Sequence, residues 1–126
     1  MAEQIKILIV DDHQLLADCL ADSFKIFGYE TQRVLSGLEA ITIIQEQSFD
    51  IVLMDIRMPS INGVETLKEI KKYSPHTEVI LMTGYAASEL IEEGLKAGAY
   101  MCLQKPFGPV DVLEVIKEIT KKKVKT

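Results

Sequence analysis

The sequence predicts an α/β protein, an open doubly wound sheet of five parallel strands in the order 2-1-3-4-5. Three observations carry this. Short apolar runs alternate with longer amphipathic ones along the chain, as repeated βα units require. The runs Ile5–Val10, Phe49–Met54 and Val79–Met82 are apolar almost throughout, as strands covered on both faces must be. The run at about Glu30–Leu35 is much more polar and belongs at an edge. Right-handed crossovers with the first strand central then yield the stated order.

Each element has its own warrant. The helix after strand one begins near Asp12–Gln14, where acceptor side chains suit an N-cap, and its apolar stripe is Leu16, Leu20, Phe24 and Phe27. Gly28 stands where a left-handed C-cap is needed. Ser36–Gly37 turns into helix two, with Leu38, Ile41 and Ile44 inward. Strand three closes with Ile51–Met54, and Asp55 opens an irregular loop, Arg57 to Gly63. Helix three then runs through Val64, Leu67 and Ile70 to Tyr73, and Pro75 closes it. Gly84 breaks strand four, and helix four spans roughly Ala87–Lys96 before Gly98. Strand five, about Ala99–Gln104 with its apolar part at Tyr100–Leu103, is stopped by Lys105-Pro106-Phe107-Gly108-Pro109. Helix five runs from about Val110 to Lys121, with Val112, Leu113, Ile116 and Ile119 inward.

A chain of 126 residues is read as one domain, 4–122, with 123–126 as a basic tail or the start of a linker. The 14 basic and 19 acidic residues leave a net charge of −5, which argues against nucleic-acid binding. The apolar runs are far too short to span a membrane, and MAEQIKILIV has no basic region with a cleavage site, so the cytosol is the expected compartment. Cys19 and Cys102 lie far apart without a C-x-x-C, so neither a disulfide framework nor a zinc site is indicated.

The polar residues just beyond the strands carry the chemistry: Asp11 with Asp12, Asp55, Thr83 and Lys105. Parallel strands bring them to one carboxyl edge, where doubly wound sheets bind ligands at the switch point between strands one and three. Hard oxygen donors select magnesium, manganese or calcium. Like charges about 4 Å apart repel by roughly 4 kcal/mol at an effective dielectric near 20, so three clustered carboxylates beside one lysine need a cation. Helix capping accounts for one of Asp11 and Asp12, and not for Asp55. A carboxylate beside a divalent ion can attack phosphorus and form an acyl phosphate. Lys105 can pair with phosphoryl oxygens, Thr83 can donate to one, and Gly84 leaves room at the backbone.

Five motifs now stand in order: V-D-D at Val10–Asp12, D-I-R-M-P at Asp55–Pro59, N-G at Asn62–Gly63, M-T-G at Met82–Gly84 and K-P-F at Lys105–Phe107. Together they resemble the receiver domain of two-component response regulators over about residues 4–122. Each motif is weak singly, and the set at these spacings is highly specific. The resemblance implies a flavodoxin-like (βα)5 fold; the family's chemotaxis member is a standard example of the 2-1-3-4-5 order, so that topology is not independent of it. It also implies a signalling switch rather than an enzyme, in which Asp55 accepts a phosphoryl group from a sensor histidine kinase or phosphotransfer protein. Magnesium, with manganese as second choice, would be held by Asp12, Asp55 and the Arg57 backbone carbonyl, and by Asp11 through water. Thr83 and Lys105 would sense the phosphoryl group, and the Lys105–Pro106 bond would be cis. The face of helix 4, strand 5 and helix 5 would contact an output domain, a target protein or a second copy, and Glu89, Glu92, Glu93 and Lys96 offer a charged surface there.

One position departs from the family pattern. Where members carry Tyr or Phe three residues before the lysine, this chain has Cys102. Tyr100 is expected on the same strand face by period-two alternation, but the usual threonine–aromatic relay lacks its aromatic. Arg57 and Tyr85 are long enough to shield a phosphoryl group from water, and equally suit a solvated loop; His13 and His76 read as surface residues. The lysines at 121–125 complement a helix C-terminus. Competing functions fit less well. A phosphorylation-independent adaptor would be favoured by missing site acids, and none is missing. A phosphatase with an aspartyl nucleophile needs a second acid where Arg57 stands. A nucleotide-binding turn needs glycine and a P-loop lysine, and Asp11–Leu15 has neither.

Overall fold

The computed structural model describes residues 4–58, 61–84 and 88–124, apart from the side chains of Ser88 and of residues 122–124. Strands and helices alternate: β1 Lys6–Val10, α1 Gln14–Ile26, β2 Glu30–Val34, α2 Gly37–Glu46, β3 Ile51–Asp55, α3 Gly63–Tyr73, β4 Glu78–Thr83, α4 Ser88–Lys96, β5 Met101–Gln104 and α5 Pro109–Val124. The five strands form one parallel sheet in the order β2-β1-β3-β4-β5. Its register sets Val10 beside Val34 and Met54, Asp55 beside Met82, and Thr83 beside Gln104. The strands therefore end nearly level, and Asp55 and Thr83, which are the last residues of β3 and β4 rather than the first beyond them, emerge at a common edge with the residues just past β1 and β5.

Alternation along the central strands divides the core into two layers. Ile7, Ile9, Leu53 and Ile80 pack with Phe24 of α1 and Ile116 of α5. Leu8, Val10, Val52 and Leu81 pack with Ile44 of α2 and with Leu67 and Ile70 of α3. Each fully buried Ile or Leu contributes about 1.5–3 kcal/mol of transfer free energy, so the sheet is held from both sides.

Four details depart from the sequence reading. The buried stripe of α1 is Ala17, Leu20, Ala21 and Phe24, while Phe27 is the C-cap and 57% exposed. On α2, Gly37, Ala40 and Ile44 face inward, whereas Leu38 is 57% exposed and Ile41 only half-buried. In both helices small residues set the closest face, and alanine and glycine are weak apolar signals. Helix α5 starts at Pro109, since a first-turn proline gives up only an N–H the helix does not use, and it continues through Lys123 to Val124. Tyr100 precedes β5 rather than lying in it, packs in the α1/α5 layer and donates its hydroxyl to Glu118, while Cys102 packs in the opposite layer. Period-two alternation fails for that pair because one member is outside the strand. The glycine at position 28 has φ +94°, as the C-cap requires.

Candidate functional site

Asp11 leaves β1 with its N–H bonded to the Val34 carbonyl at 3.2 Å, which fixes it at the sheet edge. Its side chain is wholly buried. Oδ1 accepts the His13 N–H at 2.9 Å, whereas Oδ2, buried, has no hydrogen-bond partner among the described residues. Burial, above all, raises the Asp11 pKa from its usual 3.8, and the charges of Asp55 and Asp12 push the same way against the His13 N–H and the Lys105 ammonium. Asp12 is exposed. The N-cap of α1 is neither acid but His13, whose Nδ1 accepts the Leu16 N–H at 3.3 Å. Both carboxylates are therefore left facing the crevice side of the turn instead of closing the helix.

Asp55 closes β3 and is 9% exposed. Oδ1 accepts the Arg57 N–H at 3.2 Å, and Lys105 Nζ stands 3.3 Å from Oδ2. The same ammonium is 3.7 Å from Asp11 Oδ2. Carboxylate oxygens of Asp11, Asp12 and Asp55 all lie within 4.8 Å of one another. Thr83, buried, ends the neighbouring β4, and its carbonyl accepts the Lys105 N–H at 2.7 Å, so the two residues are tied at adjacent strand ends. The Lys105–Pro106 bond is cis. Among the described residues, a Cβ on Gly84 would meet Lys105 Cδ alone, at 3.9 Å, which is ordinary contact. Arg57 is exposed with its amide turned to Asp55; Tyr85, Pro59 and Ser60 lie outside the described residues.

The fold thus brings Asp11, Asp12, Asp55 and Lys105 into one cluster with Thr83 at its border. Sequence reasoning passed over two supports of that cluster. His13 as a cap leaves no reliable signal. The box formed by Asn62 and Glu65 at the start of α3 does, in the N-x-x-E spacing. A Cβ on the following Gly63 would lie 2.5 Å from the Asp55 carbonyl oxygen, so only glycine lets α3 begin this close to the end of β3.

The donor set suits a hard divalent cation. Three carboxylates converge, no thiolate or imidazole is among them, and the buried Asp11 Oδ2, which accepts no hydrogen bond and has the Lys105 ammonium only at 3.7 Å, is open to a further cation. Residues 7–117 match the family model described as the response regulator receiver domain. The chain belongs to that family. Receiver domains are phosphoacceptor switches of two-component systems; they bind magnesium at such an acidic pocket and act with histidine kinases and output domains. The chain is 36% identical over 117 residues to the chemotaxis protein CheY of Thermotoga maritima, covering 92% of this chain and 98% of that protein. It is 41% identical over 105 residues to the transcriptional regulatory protein ZraR of Klebsiella oxytoca, covering 83% of this chain but 24% of the relative's length. Among solved structures, a CheY-like receiver domain protein from Methanospirillum hungatei superposes with a TM-score of 0.93 at 33% identity, covering 98% of this chain and 100% of that one. No helix among the described residues is long and apolar enough to cross a membrane.

Proposed function

We propose that this receiver domain takes a phosphoryl group onto Asp55 in a magnesium-dependent reaction and changes its output surface in consequence. The observation that carries the reading is the convergence on one carboxylate: Asp55 shares a 4.8 Å cluster with Asp11 and Asp12 and also meets Lys105. An Asp55 oxygen attacks phosphorus, the new O–P bond forms, and the P–N bond to the donor's imidazole breaks with its electron pair leaving on the ring. A magnesium or manganese ion held by Asp12, Asp55 and the Arg57 carbonyl, with Asp11 acting through water, would neutralise charge on the phosphoryl oxygens. Lys105 moves its pairing from the bare carboxylate to a phosphoryl oxygen, and the Thr83 hydroxyl donates to another. The donor is a sensor histidine kinase or phosphotransfer protein. The recipient of the signal is an output domain, a target protein or a second copy, docking on α4, β5 and α5.

Acetyl phosphate with magnesium should label the protein once per chain, and chelation should stop the labelling. Asp55→Asn should abolish it. Undiminished labelling of that variant would remove Asp55 from the acceptor role.

A further inference from the structure

Two glycines stand at the first helical positions of α2 and α3, directly after the N-caps Ser36 and Asn62. Gly37 has no left-handed φ, so its backbone would accept alanine without strain. Space is what forbids it. A Cβ at position 37 would collide with Thr66 Oγ1 of α3 and lie 2.8 Å from Ile61 Cγ2 and 3.3 Å from the Ile61 carbonyl oxygen. Ile61 belongs to the β3–α3 loop, which leaves Asp55 and passes Arg57. The base of that loop is closed by the Gly63 N–H bonding the Ile56 carbonyl at 2.7 Å. Its far shoulder, Ile61, rests on the bare face of Gly37. The start of α2 thereby bears on the start of α3, and that start bears on the Asp55 peptide.

We infer that Gly37 is a positioning residue for the phosphoacceptor site: its missing side chain seats Ile61 at the start of α3, and that start, through the Gly63 N–H on the Ile56 carbonyl, sets where the Ile56–Arg57 peptide lies relative to Asp55. This rests on the proposed magnesium site, with the Arg57 carbonyl as a ligand. Gly37 itself touches neither ion nor phosphoryl group. Supporting groups of metal ligands commonly change metal affinity by about 10–100-fold when altered.

The test is a double-mutant cycle in a Thr66→Ala background, which removes the hydroxyl collision and leaves Ile61 as the contact in question. Magnesium affinity is read by calorimetry and thermal stability separately. Gly37→Ala should weaken magnesium binding about tenfold by displacing the loop. Ile61→Ala should weaken it several-fold by unseating the loop. The two together should return close to the background, because the added methyl occupies the space the isoleucine vacated. The inference is overturned if Gly37→Ala leaves magnesium affinity unchanged, or if the two effects simply add. Acetyl phosphate labelling of the unaltered chain separates the two readings. If it does not label, the acceptor function fails; if it labels and the cycle shows no coupling, only the Gly37 role fails.

Discussion

At the scale of single residues, Asp11 is held in a state that costs stability without a cation. Its carboxyl is fully buried, one oxygen lacks a hydrogen-bond partner, and burial is the first cause of its raised pKa. An acid whose folded pKa exceeds its unfolded value contributes stability below the unfolded value and loses it as pH rises through the folded one. In the absence of divalent metal, Asp11→Asn should therefore melt higher than the unaltered protein above the usual carboxyl pKa of 3.8, and the gap should close as pH falls below it. Asparagine keeps the acceptor for the His13 N–H and drops the charge. Magnesium should reverse the order, since ligand binding stabilises the form that binds it. Melting curves from pH 3 to 8 with and without magnesium check both signs, and a lower melting point for Asp11→Asn at neutral pH without metal would contradict the account.

Helix starts govern the elements. At α3, Asn62 Oδ1 accepts the Glu65 N–H at 2.9 Å and Glu65 Oε1 accepts the Asn62 N–H at 3.2 Å. Asn62→Ala should lower unfolding free energy by about 1 kcal/mol, read as a lower urea midpoint at unchanged slope. The buried strands β1, β3 and β4 were legible in the sequence because coverage on both faces leaves near-continuous apolar runs. The site was legible for a related reason: polar residues after such runs stand out, and parallel topology gathers them. Helix faces were harder to read. Gly37, Ala40 and Ala17 mark close approaches, which depend on what the neighbouring element brings and so leave no periodic signal in the helix itself. Tyr100 departs from its expected place because the strand begins at Met101 rather than Ala99, and that onset depends on pairing with β4. The α5 layer rather than the β5 face thus receives the aromatic ring, and Cys102 fills the other layer with its thiol pKa raised by burial.

Across the whole molecule the question is whether the two layers are one cooperative unit. The same three central strands feed both, Ile7 and Ile9 to one side and Leu8 and Val10 to the other, so neither layer can open without stripping the sheet of its cover. Leu67 lies in the α2/α3 layer and Ile116 in the α1/α5 layer, both with no exposed surface. Truncation of either to alanine should cost about 2–5 kcal/mol, the range for large-to-small changes in a close-packed core. If folding is all-or-none, Leu67→Ala should accelerate hydrogen exchange of the slowest amides in α1 and α5 as much as in α3, although it touches neither of the former. Retained protection in α1 and α5 beside an opened α3 would show the layers to be separate units. A single unit has a functional consequence. On the proposed reading, binding energy released at Asp55, on the edge of a sheet common to both layers, would then act on both layers at once.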